Sequence, residues 1–361
     1  MKIALLGDVA FFGKYCLKSN PNVYDYFNDL KIYLSQFDLI VANLEAAFIE
    51  QENSIANGHK SAYVSSHPIN IDLLKFLGIN IVNLANNHIL DYGAEGFNKT
   101  VKLLDDNDIN WFGVNSKKLK LEFSEKIAFH GYCAFNTNPL GAKNNSGVNA
   151  LIGEVVEKEL KESASDGFYN ILSIHSGVEH VNFPSMEDIN LARYFSTIVP
   201  YTYYGHHPHV AQGVERINDS IIAYSLGNLC FDDVYDPKGN LIVEQSENNK
   251  SSFILTLDIN NGEVSEYGIV NFKNKQEKCV LLNSDDCCKV KEYSDALSMQ
   301  KSKYDAMRNE KITSILKVRN SHRDLKWLLD RFSYSTLVRI FELYMNKKYQ
   351  NKYVSLFLKG K

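Results

Sequence analysis

Short apolar runs that stop at polar residues recur along the first two thirds of the chain. Ile3 to Leu6 leads into Gly7-Asp8, Leu39 to Ala42 into Asn43, and Ile81 to Ala85 into Asn86. Ile171 to Ile174 leads into His175, and Ile221 to Leu226 into Gly227-Asn228. Each run has strand length, and side chains that are apolar on both faces of the pleat suit strands covered from both sides. Between the runs, Asp72 to Leu77 and Gly96 to Leu104 carry helical spacing. The order β-α-β-α predicts a layered α/β domain. In such sheets the loops at the carboxyl ends of strands converge on one crevice, so five runs ending in chemically loaded residues point to one site.

Beyond Asp232 the pattern weakens. Residues 233 to 252 are polar, with a turn signal at Pro237-Lys238-Gly239-Asn240 and a loop at Glu247-Asn248-Asn249-Lys250. Two further strand-like runs, Phe253 to Ile259 and Val264 to Phe272, are joined through Asn261-Gly262, a hairpin signal. A first domain over residues 1–275 is expected. A helical extension is expected over 290–361, where Ile312, Ile315 and Leu316 and then Leu325, Leu328, Leu329 and Phe332 recur at i, i+3, i+4 spacing.

Composition adds exclusions. Hydrophobic residues make up 45% and charged residues 23% of the 361, which rules out disorder as the main state. No stretch nears the roughly 18 apolar residues of a membrane-spanning helix, and the N-terminal run is too short for a secretory signal, so a cytoplasmic location is expected. The six cysteines form no C-x-x-C pair, and the adjacent Cys287 and Cys288 read as incidental thiols at a domain edge or as a redox pair.

Charge divides the chain. Residues 301–361 hold 15 Lys/Arg against 5 Asp/Glu, a net of +10, which leaves −14 for the first 300. The basic residues Arg323, Lys326, Arg331, Arg339, Lys347, Lys348 and Lys352 accompany the apolar stripe. Such helices can lie on an anionic membrane, peripheral to its inner face, or contact a protein. They can equally cap the acidic domain of their own chain. Nucleic acid is not an expected partner, because the acidic domain would repel the strand.

Four segments carry candidate chemistry. Asp8, behind a strand and Gly7, is a possible metal ligand or an ordinary turn residue. Asn43 and Glu45 alternate to the same side of an extended segment, and an amide oxygen with a carboxylate suits a hard divalent cation; an Asx turn is the simpler alternative. In Asn86-Asn87-His88-Ile89-Leu90-Asp91, Asn87 offers a neutral oxygen, His88 a proton for a leaving group, and Asp91 a partner that fixes the imidazole tautomer. Helix capping accounts for only one of these three. Five of the ten histidines fall in His175 to His180 and Gly205 to His209, where His207-x-His209 places two imidazoles at alternate positions behind a glycine. A mixed oxygen and nitrogen donor set without thiolate suits two ions of the Mn, Fe, Zn or Mg kind, and phosphoester hydrolysis is the reaction class that follows.

These residues also carry a resemblance. Gly7-Asp8, Asn43-Leu44-Glu45, Ala85-Asn86-Asn87-His88 with Asp91-Tyr92-Gly93, His175-x-Gly177-x-Glu179, Gly205-x-His207-Pro208-His209-Val210 with Gln212, and Tyr224-Ser225-Leu226-Gly227-Asn228 stand in the order found in the bacterial capsule synthesis protein CapA family. That family resembles calcineurin-like metallophosphoesterases, and the match spans residues 1 to about 232. The resemblance implies a four-layer α/β/β/α sandwich and a dinuclear centre, with Mn favoured. Its ligands would be Asp8, Glu45, Asn87, His175, His207 and His209, with Glu45 bridging and Asn43 a seventh. His88 and Asp91 would be the acid and its orienter, and Glu179, His206 and Asn228 the substrate contacts. Ser176 and His180 stand where the family usually has aromatic residues, and Lys14 is a candidate phosphate contact. The implied function is a phosphatase or phosphodiesterase acting on a small phosphorylated sugar or polyol in capsule or cell-envelope polymer synthesis. The rivals are a non-hydrolytic accessory of a poly-γ-glutamate-like polymer synthase and an amide or peptide hydrolase using the same two ions.

Overall fold

A computed structural model describes residues 1–50, 62–137, 147–235, 239, 241–282, 289–320 and 334–361, and among them two mixed sheets dominate. The first runs in the order Cys279–Leu281, Glu263–Asn274, Ser251–Asn260, Lys2–Val9, Leu39–Leu44, Ile81–Asn83, Asn110–Phe112, with Asn228–Cys230 added beside the end of Lys2–Val9. From Lys2–Val9 to Asn110–Phe112 the strands are parallel, and the remaining three main strands pair antiparallel. The second sheet runs Val214–Ile217, Ser220–Ala223, Tyr201–His206, Tyr169–His175, Lys126–Cys133, Leu119–Glu122, parallel in its four central strands and antiparallel at both edges.

Strand alternation sorts the side chains into three apolar layers. Ile3, Leu5, Val41 and Ile81 pack with Phe129, Ile171, Tyr204 and Ile221 between the sheets. Ala4, Leu6, Ile40 and Ala42 point the other way, onto Leu30, Leu74 and Leu104 of the helices Asn28–Leu34, Ile71–Phe76 and Gly93–Asp105. Leu172, Ile174, Tyr203 and Ile222 meet Val156, Leu160 and Phe195 of the helices Gly153–Ser165 and Met186–Ser196. The result is the expected four-layer α/β/β/α sandwich. Strands buried on both faces explain why the five runs lack polar alternation.

Some elements leave no such run. Lys126–Cys133 and Tyr201–His206 flank Tyr169–His175 as central strands, yet His130-Gly131 interrupts the first and Thr202 and Gly205 the second. The Asn261-Gly262 hairpin forms as expected, with both residues at positive φ (55° and 76°), the geometry that matches strand twist.

Part of the C-terminal extension caps the second sheet's helical layer. Tyr304 Oη donates to the Pro184 carbonyl at 2.8 Å, and Arg308 Nε to that of Phe183 at 3.1 Å. Further on, Gln350 and Ser355 both bond the Glu187 carboxylate, and Lys361 pairs with Glu157 at 2.7 Å. Phe357 sits against Tyr194, Phe195 and Gly153, and a Cβ on Gly153 would run into its ring. The expected stripe residues Leu325, Leu328, Leu329 and Phe332 lie outside the described residues. So do Arg323, Lys326, Arg331, the Cys287-Cys288 pair and the turn at Pro237, Lys238 and Asn240. Among the described residues no helix is long and apolar enough to cross a membrane.

Truncating a buried phenyl ring removes its burial and leaves a cavity, so Phe357→Ala should destabilise by about 3 kcal/mol. Its exposed neighbour Leu356→Ala should cost about 0.5 kcal/mol or less. Thermal unfolding of both variants checks this, and an unchanged midpoint for Phe357→Ala would remove the cap from the folded unit.

Candidate metal centre

The polar run-ends meet because strand register aligns them. Asp8 lies opposite Asn43 and Asn43 opposite Asn83, at the carboxyl ends of first-sheet strands, and Asp8 is also opposite Asn228, which opens the short strand Asn228–Cys230. In the second sheet His175 lies opposite His206. Gly7 is required by the close approach of a neighbouring chain: a Cβ there would collide with the Gly227 carbonyl, which accepts the Asp8 N–H at 2.9 Å.

The following loop adds two imidazoles. His207 and His209 take φ of 92° and 56° on either side of Pro208. Non-glycine residues in this region cost about 1–3 kcal/mol, and such strain concentrates where side chains must be held in unusual directions. Both rings enter the crevice, with the His207 ring 4.9 Å from that of His175 and 6.1 Å from that of His209.

Two three-residue groups result, and they share Glu45. Ligand atoms of Asp8, Glu45 and His209 lie within 4.8 Å of one another, and so do those of Glu45, His175 and His207. Glu45 Oε1 is 3.5 Å from His175 Nε2, 3.7 Å from His209 Nε2 and 4.0 Å from His88 Nε2. Both Glu45 oxygens and His207 Nδ1 are buried without a hydrogen-bond partner. A fully buried carboxylate left this way costs several kcal/mol unless a cation stands beside it. The donor set of carboxylate, imidazole and amide oxygen fits divalent ions of the borderline and hard kinds.

Electrostatics point the same way. Burial opposes the Asp8 charge, yet hydrogen bonds and charge from His206 and His209 hold its carboxyl well below the usual range. Burial, with Asp8, Glu179 and Asp91 nearby, pushes Glu45 well above its ordinary value. Burial lowers His207 to about 4, and burial with the neighbouring His207 lowers His175. Against burial, Glu45 and Asp8 raise His209 to about 10. Without an ion, His209 therefore keeps its proton at neutral pH, whereas His175 and His207 are neutral with lone pairs available.

The remaining candidates fall around this core. His88 Nδ1 is 2.7 Å from Asp91 Oδ2, which also accepts the Val64 N–H at 2.8 Å, so Asp91 is anchored and His88 is oriented. Asn87 Oδ1 lies 2.8 Å from His175 Nε2, at the edge of the second group. Asn228 Oδ1 contacts His209 Nδ1 at 2.9 Å and so steadies a candidate ligand. Glu179 is half-buried and close enough to raise the basicity of His207 and His209.

Three expectations need correction. Asn228, expected among the substrate contacts, is buried with its amide spent on His209 and Gln245. Asn43 turns its oxygen away from the cluster: Oδ1 accepts from Asn83 Nδ2 at 3.0 Å, and Nδ2 donates to Asp8 Oδ1 at 2.9 Å. Its amide positions Asp8, where a seventh ligand was expected. His206, expected among the substrate contacts, is fully buried with Nδ1 3.0 Å from Asp8 Oδ1. Strand pairing with His175 places it behind the carboxylate, away from any approaching ligand.

Sequence reasoning missed Asn83, although an amide inside an apolar strand was a usable signal. It also missed Asn249, whose Nδ2 reaches the His209 carbonyl and His180 Nδ1, each at 2.9 Å. Nothing in the polar loop around Asn249 marks it out. The polar residues at the two usually aromatic positions bond the framework: Ser176 Oγ donates to Asp188 Oδ1 at 2.8 Å, and His180 holds Asn249.

The fold and site define a class of α/β sandwich proteins with a buried carboxylate–imidazole cluster, a candidate metal centre, between the ends of two sheets. Within that class, the family model "Bacterial capsule synthesis protein PGA_cap" matches residues 2–233, and the chain belongs to this family. It is 28% identical over 248 residues to "Capsule biosynthesis protein CapA" of Bacillus anthracis, covering 64% of this chain and 60% of that protein. It is 28% identical over 204 residues to "PGA biosynthesis protein CapA" of Bacillus subtilis (strain 168), covering 54% and 53%. The chain thus spans little more than half the length of these relatives. Among solved structures, NAD nucleotidase from Haemophilus influenzae aligns with a TM-score of 0.41 at 14% identity, over 89% of this chain and 60% of that one. A 5'-nucleotidase from Candida albicans aligns with a TM-score of 0.42 at 12% identity, over 89% and 58%.

Ion binding must expel the proton held by His209, whose imidazole is raised to about 10, so affinity for Mn should rise with pH between about pH 6 and pH 9. Proton release on adding Mn to metal-free protein, measured by calorimetry in buffers of different ionisation enthalpy, checks this. A pH-independent affinity would show that His209 is not a ligand.

Proposed function

We propose that the chain is a metal-dependent phosphoester hydrolase, a phosphatase or phosphodiesterase. The observation that carries this reading is the sharing of buried, unpartnered Glu45 by two ligand groups, with His88 4.0 Å from its carboxylate and backed by Asp91. Asp8, Glu45 and His209 would hold one ion and Glu45, His175 and His207 the other, with the Asn87 oxygen beside His175. When bound, two divalent cations supply Lewis acidity toward phosphoryl oxygens and a nucleophilic water at neutral pH.

The other steps belong to the chain's own side chains. When the His88 ring carries a proton on each nitrogen, Nδ1–H donates to Asp91 and Nε2–H faces the cluster, placed to pass its proton to the leaving-group oxygen and leave a neutral imidazole. The amides of Asn43 and Asn228 hold Asp8 and His209 in place, as supports beneath metal ligands commonly do.

The substrate class we infer is a small phosphorylated sugar or polyol used in capsule or envelope polymer synthesis. A cavity of about 220 Å³ adjoins the centre, lined by Lys14, Phe231, Asp232, Gln245, Asn249 and Lys250 among others. It touches the centre through Phe231, whose ring lies 4.6 Å from His209, and through Asn249. Its mostly polar wall, in which Asp232, Asp233 and Glu244 stand against Lys14 and Lys250, suits a hydroxylated ligand. The capsule context is drawn from the family and from the names of its relatives.

In Mn-loaded protein, His88→Ala should lower kcat on an aryl phosphate by about 10² to 10⁴-fold while metal content stays constant. Glu45→Gln should lose both metal and activity. Inertness of the metal-loaded protein toward aryl and sugar phosphates would overturn the hydrolase reading in favour of an accessory role. Cleavage of γ-glutamyl peptides alone would replace it with amide hydrolysis.

A further inference from the structure

The helix Tyr334–Gln350 turns a broad apolar face to solvent. Leu337, Ile340, Phe341, Leu343 and Tyr344 are each 55–65% exposed, although they are its largest apolar residues. Its opposite side, which holds Val338, Glu342, Met345, Asn346 and Tyr349, is the less exposed one, and Gln350 beside it bonds Glu187. At 3.6 residues per turn, Leu337, Ile340, Phe341 and Tyr344 form one stripe, and the next positions of that stripe, Lys347 and Lys348, are exposed. Contiguous exposed apolar residues of this kind mark a surface with a partner.

We infer that this face docks on an anionic lipid bilayer. Charge complementarity selects that occupant. The stripe ends in two lysines within a segment of net +10, whereas the first 300 residues carry −14. An anionic surface would attract the helix and repel the acidic domain, which orients the molecule with this helix toward the lipid. A second protein chain fits less well, because lysine is depleted from protein–protein interfaces, whereas interfacial helices combine lysines with large apolar and aromatic side chains. The helix is also tied to the candidate centre. Tyr349 and Tyr353 pack their rings on Phe135 at 5.6 and 5.5 Å, and the neighbours Ala134 and Asn136 bond the His175 and Gly177 carbonyls. Docking therefore places the loop beside His175 near the lipid surface. This inference does not depend on the reaction proposed above.

Co-flotation of the full chain with liposomes tests it. The protein should float with phosphatidylcholine vesicles containing one third phosphatidylglycerol and remain behind with pure phosphatidylcholine. Lys347→Ser with Lys348→Ser should lower partitioning about thirtyfold, since each basic residue near such a surface contributes about fivefold. Leu337→Ser with Phe341→Ser should lower it about a hundredfold through lost apolar burial, with the thermal midpoint unchanged because both residues are exposed. Equal recovery with both vesicle types, or wild-type partitioning by the variants, overturns the inference. So does a concentration-dependent dimer in sedimentation velocity that Leu337→Ser with Phe341→Ser abolishes without any vesicle binding; that result would assign the face to a second copy.

Discussion

Two carboxylates, Asp8 and Glu45, are completely buried at one edge of a sandwich, and the rest of the structure is arranged around that electrostatic burden. Taking such groups out of water costs several kcal/mol each, and their mutual repulsion adds to it. Asp8 is compensated within the chain by His206, His209 and the Asn43 amide. Glu45 is compensated only in part: His209 favours its charge, but burial with Asp8, Glu179 and Asp91 nearby opposes it, so a cation among these side chains would relieve the burden. A site of this kind is built for cations, because hydrogen bonds from the protein leave both Glu45 oxygens without partners.

The sandwich supplies the geometry. Parallel pairing in register aligns Asp8, Asn43 and Asn83 across one sheet and His175 with His206 across the other. Apolar packing between the sheets fixes their separation, so the imidazoles of one sheet face the carboxylates of the other. The left-handed backbone at His207 and His209 is tolerated because neighbouring contacts over-determine it, among them the His207 N–H to Asp8 at 3.3 Å and Asn249 on the His209 carbonyl. Sheet packing and ion chemistry are thereby coupled, and a change in the inter-sheet core would be felt at the ligands.

The C-terminal extension joins two kinds of contact that the charge count alone could not separate. Its aromatic residues Tyr304 and Phe357 belong to the apolar layer over the second sheet, as a cap would require. Its longest exposed apolar stripe points outward, as a cap does not require. One segment can serve both purposes because a helix has two faces, and here the one turned toward the protein is mixed, with Val338, Met345 and Tyr349 beside Glu342 and Asn346.

Much of the first sheet and a central strand of the second were legible in the chain. Strands buried on both faces must be apolar throughout, so Ile3 to Leu6, Leu39 to Ala42 and Ile171 to Ile174 announced themselves, and the polar residues that ended them could only fall at a sheet edge. The identity of Asp8, Glu45, His175, His207 and His209 as a candidate ligand group followed from residue type and order. Lys126–Cys133 and Tyr201–His206 were not legible, since their polar and glycine residues are tolerated only by pairing on both sides. Roles within the site were likewise decided by tertiary structure: which way the Asn43 amide turns, that His206 lies behind Asp8, and that Asn83 and Asn249 belong to the support. Sequence determines donor chemistry and local backbone preference, because these are properties of single residues and near neighbours. Direction, depth and distance across two sheets depend on register and packing between segments far apart in the chain, and only the folded molecule sets them.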